Sequence, residues 1–273
     1  MESTMSSNLE DDRDNLRHTL RRLVESLASV RWPDVEVATI QELCTRYRRL
    51  AICELLLDAN TEAFADCLYN SGRAYLALLQ RIDRSALQSQ YHFCTSRAQP
   101  FLDSLAADDV DTARAMAPWS ASNWARGDEY EEDFRYMRFL MDVLAHGTTS
   151  SQASACLQGL RVVATGFDSA RLGVCESLQA TDARAFDLAM VEFLQQREEC
   201  VAEERGNPSA DPEFLRTEAP ICIEGIALVK LARVLGMEVR IQAPGIPRWA
   251  FTRRKKAFPP PDAWREPWVS YAG

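Results

Sequence analysis

Six consecutive residues, Asp128-Glu129-Tyr130-Glu131-Glu132-Asp133, place five carboxylic acids within less than two helical turns. Carboxylates at that density can do acid–base work or hold a divalent cation. They can also form the solvated, dipole-favoured start of a helix, or the charged rim of a surface for a basic protein. The solvated helix start ranks first, the partner surface second, and a metal or catalytic site a distant third. Just before the acids stand Trp119 and Trp124, two large rings in the polar stretch 118–128. Tryptophan at the centre with charge at the rim is the composition of a protein interface. The candidate binding residues are therefore Trp119, Trp124, Asp128, Glu129, Glu131, Glu132 and Asp133. The rings would anchor a partner and the acids would steer its basic surface. Burial of both rings in the protein's own core is the competing expectation.

Other chemistry is sparse. The three histidines, His18, His92 and His146, are far apart, and His92-Phe93-Cys94 is the only close pairing of metal-ligand types. Neither phosphate-cradling glycine loops nor nucleophile-elbow or zinc-helix signatures occur. The eight cysteines form no C-x-x-C pair, and most sit among apolar residues, which predicts buried free thiols. No metal, no cofactor and no enzymatic activity are expected.

The elements that must position these residues read as helices. Leu16, Leu20, Leu23 and Leu27 make one apolar stripe at helical spacing, and Trp32-Pro33 stops it. A second helix over 35–57 turns Ile40, Leu43, Tyr47, Leu50 and Leu55 inward. A third follows Asn60 with Phe64, Leu68, Tyr75 and Leu79. Shorter helices are predicted over 85–94, 100–106 and 110–116. The acidic run opens a helix through Leu144, with Asp128 and Glu131 at capping-box spacing and Gly147 as its end. Further helices cover 151–164, 169–178, 182–204 and 221–235. Met237 to Gln242 alternates apolar and polar, as a short strand or extended segment would. The stretches 57–64, 104–109 and 177–186 share one pattern: a helix end, a tight polar turn with a capping side chain, and a new helix. Such turns build stacked helical hairpins. The fold expected is all-α, an irregular bundle of such hairpins.

Composition bounds the setting. The chain has 273 residues, 47% of them apolar and 26% charged, which excludes a disordered chain. Glycine is scarce, 11 residues in all, which argues against a turn-rich β fold. No apolar run approaches a membrane span, and residues 1–14 are polar and acidic, unlike a signal peptide. A cytoplasmic protein is expected. Residues 1–244 read as one α-helical domain. Residues 245–273 read as an irregular basic tail, rich in Pro and Trp, with Trp249, Trp264 and Trp268 strapping it to the body. The formal charge of −9 disfavours nucleic acid and anionic membranes and favours basic protein surfaces. The run Arg253-Arg254-Lys255-Lys256 reads as a solvated stretch of that tail.

Three stretches carry a family resemblance. Phe134-Arg135-Tyr136-Met137-Arg138-Phe139-Leu140 is similar to the aromatic helix of the bacterial immunity protein 49 family. Residues 180–187 with Leu194-Gln195-Gln196-Arg197 resemble its turn and helix. Residues 224–233, with Gly236-Met237-Glu238-Val239 and Ile246-Pro247, resemble its C-terminal helix and the extended piece after it. The resemblance spans roughly residues 130–250. It implies an immunity protein that neutralises a cognate toxin or secreted effector, with no catalytic motif to transfer. A helical scaffold in a regulatory complex and an unrecognised α-helical enzyme are the rival classes.

Overall fold

The computed structural model describes residues 2–81 and 91–266. Among them the chain forms eleven α-helices and no sheet. These are α1 (Glu2–Ala28), α2 (Val37–Asp58), α3 (Thr61–Arg81), α4 (Gln99–Ala106), α5 (Val110–Met116), α6 (Glu131–His146), α7 (Ser151–Val163), α8 (Phe167–Ala180), α9 (Ala183–Gly206), α10 (Pro212–Arg216) and α11 (Ile223–Val234).

Sequential helices pack as hairpins because the turns between them are short and capped. α2 lies on α3, α6 on α7, and α8 on α9. The turn from α2 to α3 puts Ala59 in the left-handed region (φ +49°), and Asn60 Oδ1 then accepts the N–H of Ala63. Thr181 (φ +53°) and Asp182, which accepts from Arg184 and Ala185, repeat that design between α8 and α9. Asp108 (φ +67°) and Asp109, which caps Thr112, repeat it between α4 and α5. A carboxamide or carboxylate at the second turn position satisfies N–H groups that a new helix leaves open. The recurring pattern is thus a structural unit used three times.

The two halves are joined by α11, which packs against α4. Nine of its twelve residues, Ile223 and Gly225 to Ala232, are buried, as expected of a helix surrounded by others. Packing is close at Gly225: an added Cβ would sit 2.8 Å from the end of the Ile246 side chain, which would have to shift. One continuous apolar cluster runs from Leu16 to Trp264.

Four expectations are corrected. Met237 and Val239 are buried, but residues 237–242 form no strand; Arg240 N–H donates to Asp187 instead. Tyr91–Phe93 and Thr95–Arg97 are single 3-10 turns, and the rest of the helix expected over 85–94 lies outside the described residues. Pro212–Arg216 forms a short helix in the stretch between 204 and 221, where Pro208, Pro212 and Pro220 mark a loop, because Asp211 caps it and Pro212 suits its first turn. The basic run is only partly solvated. Arg254 inserts between Glu62 and Asp66, 2.8 Å from the latter, and lies over the Phe258 ring, which stacks on Tyr69. Trp264 is buried beside Trp32 and Tyr47 donates to its carbonyl, whereas Trp249 is exposed and Trp268 lies outside the described residues.

Candidate functional site

The segment between α5 and α6 is stapled to itself and to the 3-10 turns before α4. Trp119 and Ser120 donate their N–H groups to Met116 O, and the Thr95 hydroxyl donates to Ala121 O. A tight turn follows, with Asp128 and Glu129 both donating to Ala125 O and Gly127 at φ +94°, a conformation that favours glycine. Glu129 locks this turn. Its carboxylate accepts from Ser96 N–H at 3.0 Å and Ala125 N–H at 3.1 Å, while its carbonyl accepts the Trp124 indole N–H at 3.0 Å.

The acidic run therefore divides by role. Helix α6 begins at Glu131 with Tyr130 as its N-cap, and Tyr130 makes no capping bond. The capping box expected from Asp128 and Glu131 does not form, because Asp128 and Glu129 are spent closing the preceding turn. Glu131 pairs with Arg135 one turn along, at 3.0 Å. Asp133 pairs at 2.9 Å with Arg171, which grips Glu224 with two bonds and lies over the rings of Tyr136 and Phe167. Burial raises the Asp168 carboxyl in this knot, against the pull of Arg171. Asp128 is exposed and Glu132 half-buried, and neither forms an ion pair with a described residue.

The rings divide in the same way. Trp124 is half-buried and bonded to its own loop, so it belongs to the scaffold. Trp119 is 45% exposed. Tyr130, in the middle of the acids, is 74% exposed and stands out furthest. It was not among the candidates expected from sequence, although a tyrosine where Ser, Thr, Asp or Asn usually caps was a visible anomaly.

Tyr130, Asp128 and Glu129 form one side of a groove of about 690 Å³ whose other side is Tyr91, Ser96, Arg97 and Gln99. Arg97 lies 3.6 Å over the Tyr91 ring and donates to its hydroxyl. Burial pushes the nearby Cys94 thiol up to about 11; the Glu129 and Asp128 charges add to that rise and Arg97 opposes it.

No protein-family model, curated protein or solved structure matches this chain. The site must be read from its own chemistry. Of the histidines, His18 and His146 are exposed and His92 bonds to the Gln41 amide. Among the described residues no group of three or more His, Cys, Asp or Glu is arranged around a metal position. No helix among them is long and apolar enough to cross a membrane. What the arrangement offers is a rigid, negatively charged surface with projecting aromatic rings.

Proposed function

We propose that this chain is an immunity protein, a cytoplasmic inhibitor that binds a cognate bacterial toxin and neutralises it. The inhibitor would act by covering the toxin's active site or locking it in an inactive shape. The observation that carries the reading is the stapled loop 117–130, which holds Trp119 exposed and sets Tyr130 and Asp128 along one side of an acidic groove. Ordering a loop on binding costs affinity, and a loop already fixed by Glu129 avoids that cost. Aromatic anchors inside a charged rim are how small surfaces reach tight binding, which an antidote to a lethal protein needs. The −9 charge would speed encounter with a basic toxin. The resemblance over residues 130–250 points the same way.

Co-expression with a candidate toxin from a neighbouring gene tests this directly: growth should be restored. Changing Asp128 and Glu132 to lysine should slow association and flatten its salt dependence, leaving folding intact. Trp119→Ala should mainly speed dissociation, by on the order of 2 kcal/mol. Absence of rescue, or association untouched by the charge reversal, would sink the reading.

A further inference from the structure

Between Val201 of α9 and Thr217, both buried, residues 202–216 include no buried residue at all. Helix α10 lies in that stretch, and none of its side chains is covered by the fold. What ties it down is charge. Glu213 pairs with Arg46 at 2.8 Å and with Arg49 at 2.6 Å, and Asp211 pairs with Arg49 at 2.9 Å. Arg216 grips the Asp12 carboxylate of α1, with one bond of 2.7 Å. All the charged partners of α10 and its cap thus belong to α1 and α2.

The chain after α10 is held differently. Thr217 and Ala219 are fully buried, and Arg197 donates to the carbonyls of Glu218 and Ala219 at 2.6 and 3.0 Å. Thr217 is therefore a fixed point, whereas the turn at Asn207, closed by its own side chain on Ser209 N–H, is exposed. Beside α10 lies a cavity of about 530 Å³. Asp211, Phe214 and Glu218 form one wall, and Phe167, Val201, Ile221 and Ile223 supply apolar surface from α8, α9 and the entry to α11. A cavity of that size with apolar walls takes a small molecule.

We propose that residues 207–216 are a lid over this cavity, latched to α1 and α2 by ion pairs and opening about Thr217 while the surrounding helices stay folded. The lid does not depend on the immunity reading. An element fixed by apolar packing opens mostly when the domain unfolds, whereas one with little buried surface has a low opening free energy of its own. Partly exposed ion pairs are individually weak and are screened by salt. Opening carries Phe214 away from the cavity and leaves Val201, Ile221 and Ile223 open to a small apolar molecule. The latch thereby makes access to an apolar site depend on ionic strength.

Hydrogen exchange of the full chain, followed by mass spectrometry at about 0.05 M and about 0.5 M sodium chloride, tests the latch. Amides of 208–216 should exchange roughly threefold to tenfold faster at the higher salt, while those of α11 keep their rates. Glu213→Gln should give the fast rate at both salt concentrations. Opening of the cavity is read separately, from the methyl resonances of Val201, Ile221 and Ile223 during a titration with toluene at one salt concentration. Their shifts should saturate at lower toluene in Glu213→Gln than in the unsubstituted protein. Exchange in 208–216 that ignores salt, or an equal acceleration in α11, would overturn the latch. Fast exchange in Glu213→Gln with an unchanged toluene response would show fraying away from the cavity and overturn the lid.

Discussion

Glu129 shows how a charged side chain can be structural within a patch that looks functional. Its two oxygens satisfy the N–H groups of Ser96 and Ala125, so removing them strands two donors at a half-buried turn. Glu129→Ala should cost about 1–3 kcal/mol and speed hydrogen exchange at those two amides, whereas Asp128→Asn should change stability by less than about 0.5 kcal/mol. Cysteine accessibility gives a second residue-level check. Burial pushes the thiols of Cys44 and Cys53 up to about 12, and those of Cys156 and Cys222 to about 11. Cys200 alone of the eight is exposed. A chromogenic disulfide reagent at pH 8 should therefore modify about one thiol quickly in the native protein and the rest only on unfolding. Several fast thiols would mean that the helices open far more readily than their packing implies.

At the scale of elements, the three capped turns carry a cost that glycine would remove. Ala59 and Thr181 both adopt a left-handed conformation that strains any residue with a Cβ. Ala59→Gly and Thr181→Gly should each stabilise by about 0.5–1 kcal/mol, read as raised melting temperatures, and should add because the turns belong to separate hairpins, α2–α3 and α8–α9. A lower melting temperature in both would refute this account of the turns. The same local signals made these elements legible beforehand: the apolar stripes of α1 to α3 and the capped turns are written in neighbouring residues. Helix α5 spans the residues expected of it for that reason. Of the short strand or extended segment expected at Met237, no strand formed, because alternation fixes which side chains point inward but not whether a second strand lies alongside. Of the candidate site, the rings and acids of 119–133 could be read as a patch. Their division into scaffold and free surface could not, because Ser96, Arg171 and Glu224 are remote in sequence. Glu42, Arg97 and Asp103 were invisible as a group, since only tertiary packing brings them to the wall of one cavity.

Over the whole molecule, the segment 245–266 acts as a strap rather than an appendage. It brings Ile246, Ala250 and Trp264 into the central apolar cluster and sets Arg254 into the acidic notch of α3. Arg254→Ala should be strongly destabilising at neutral pH, by about 3 kcal/mol, because it leaves the Asp66 carboxylate buried without its counter-charge. Burial already raises Asp66 above the ordinary carboxylate value, with Arg254 opposing that rise. In the variant only the weaker pull of Lys256 remains and the folded-state value climbs further. A carboxyl whose folded value lies above its unfolded one stabilises most when protonated, below the unfolded value, and loses that contribution as pH rises through the folded one. The penalty of Arg254→Ala should therefore shrink as pH falls into the acid range. A penalty independent of pH, in denaturant melts from pH 4 to 8, would show that Asp66 is not the group left exposed to the loss.

The strap also sets a timetable for synthesis. Glu62 and Lys255, which it joins, are 193 residues apart. At ribosomal speeds of roughly 5–20 residues per second, about 10–40 s separate their appearance. Throughout that interval Tyr69 and Trp32 have been made but their aromatic partners have not, so a nascent α2–α3 hairpin carries an uncovered apolar face. Such a face is a natural ligand for chaperones that scan emerging chains. A half-made molecule would thus stay in a holding state until Trp264 leaves the ribosome and the last aromatic face is covered.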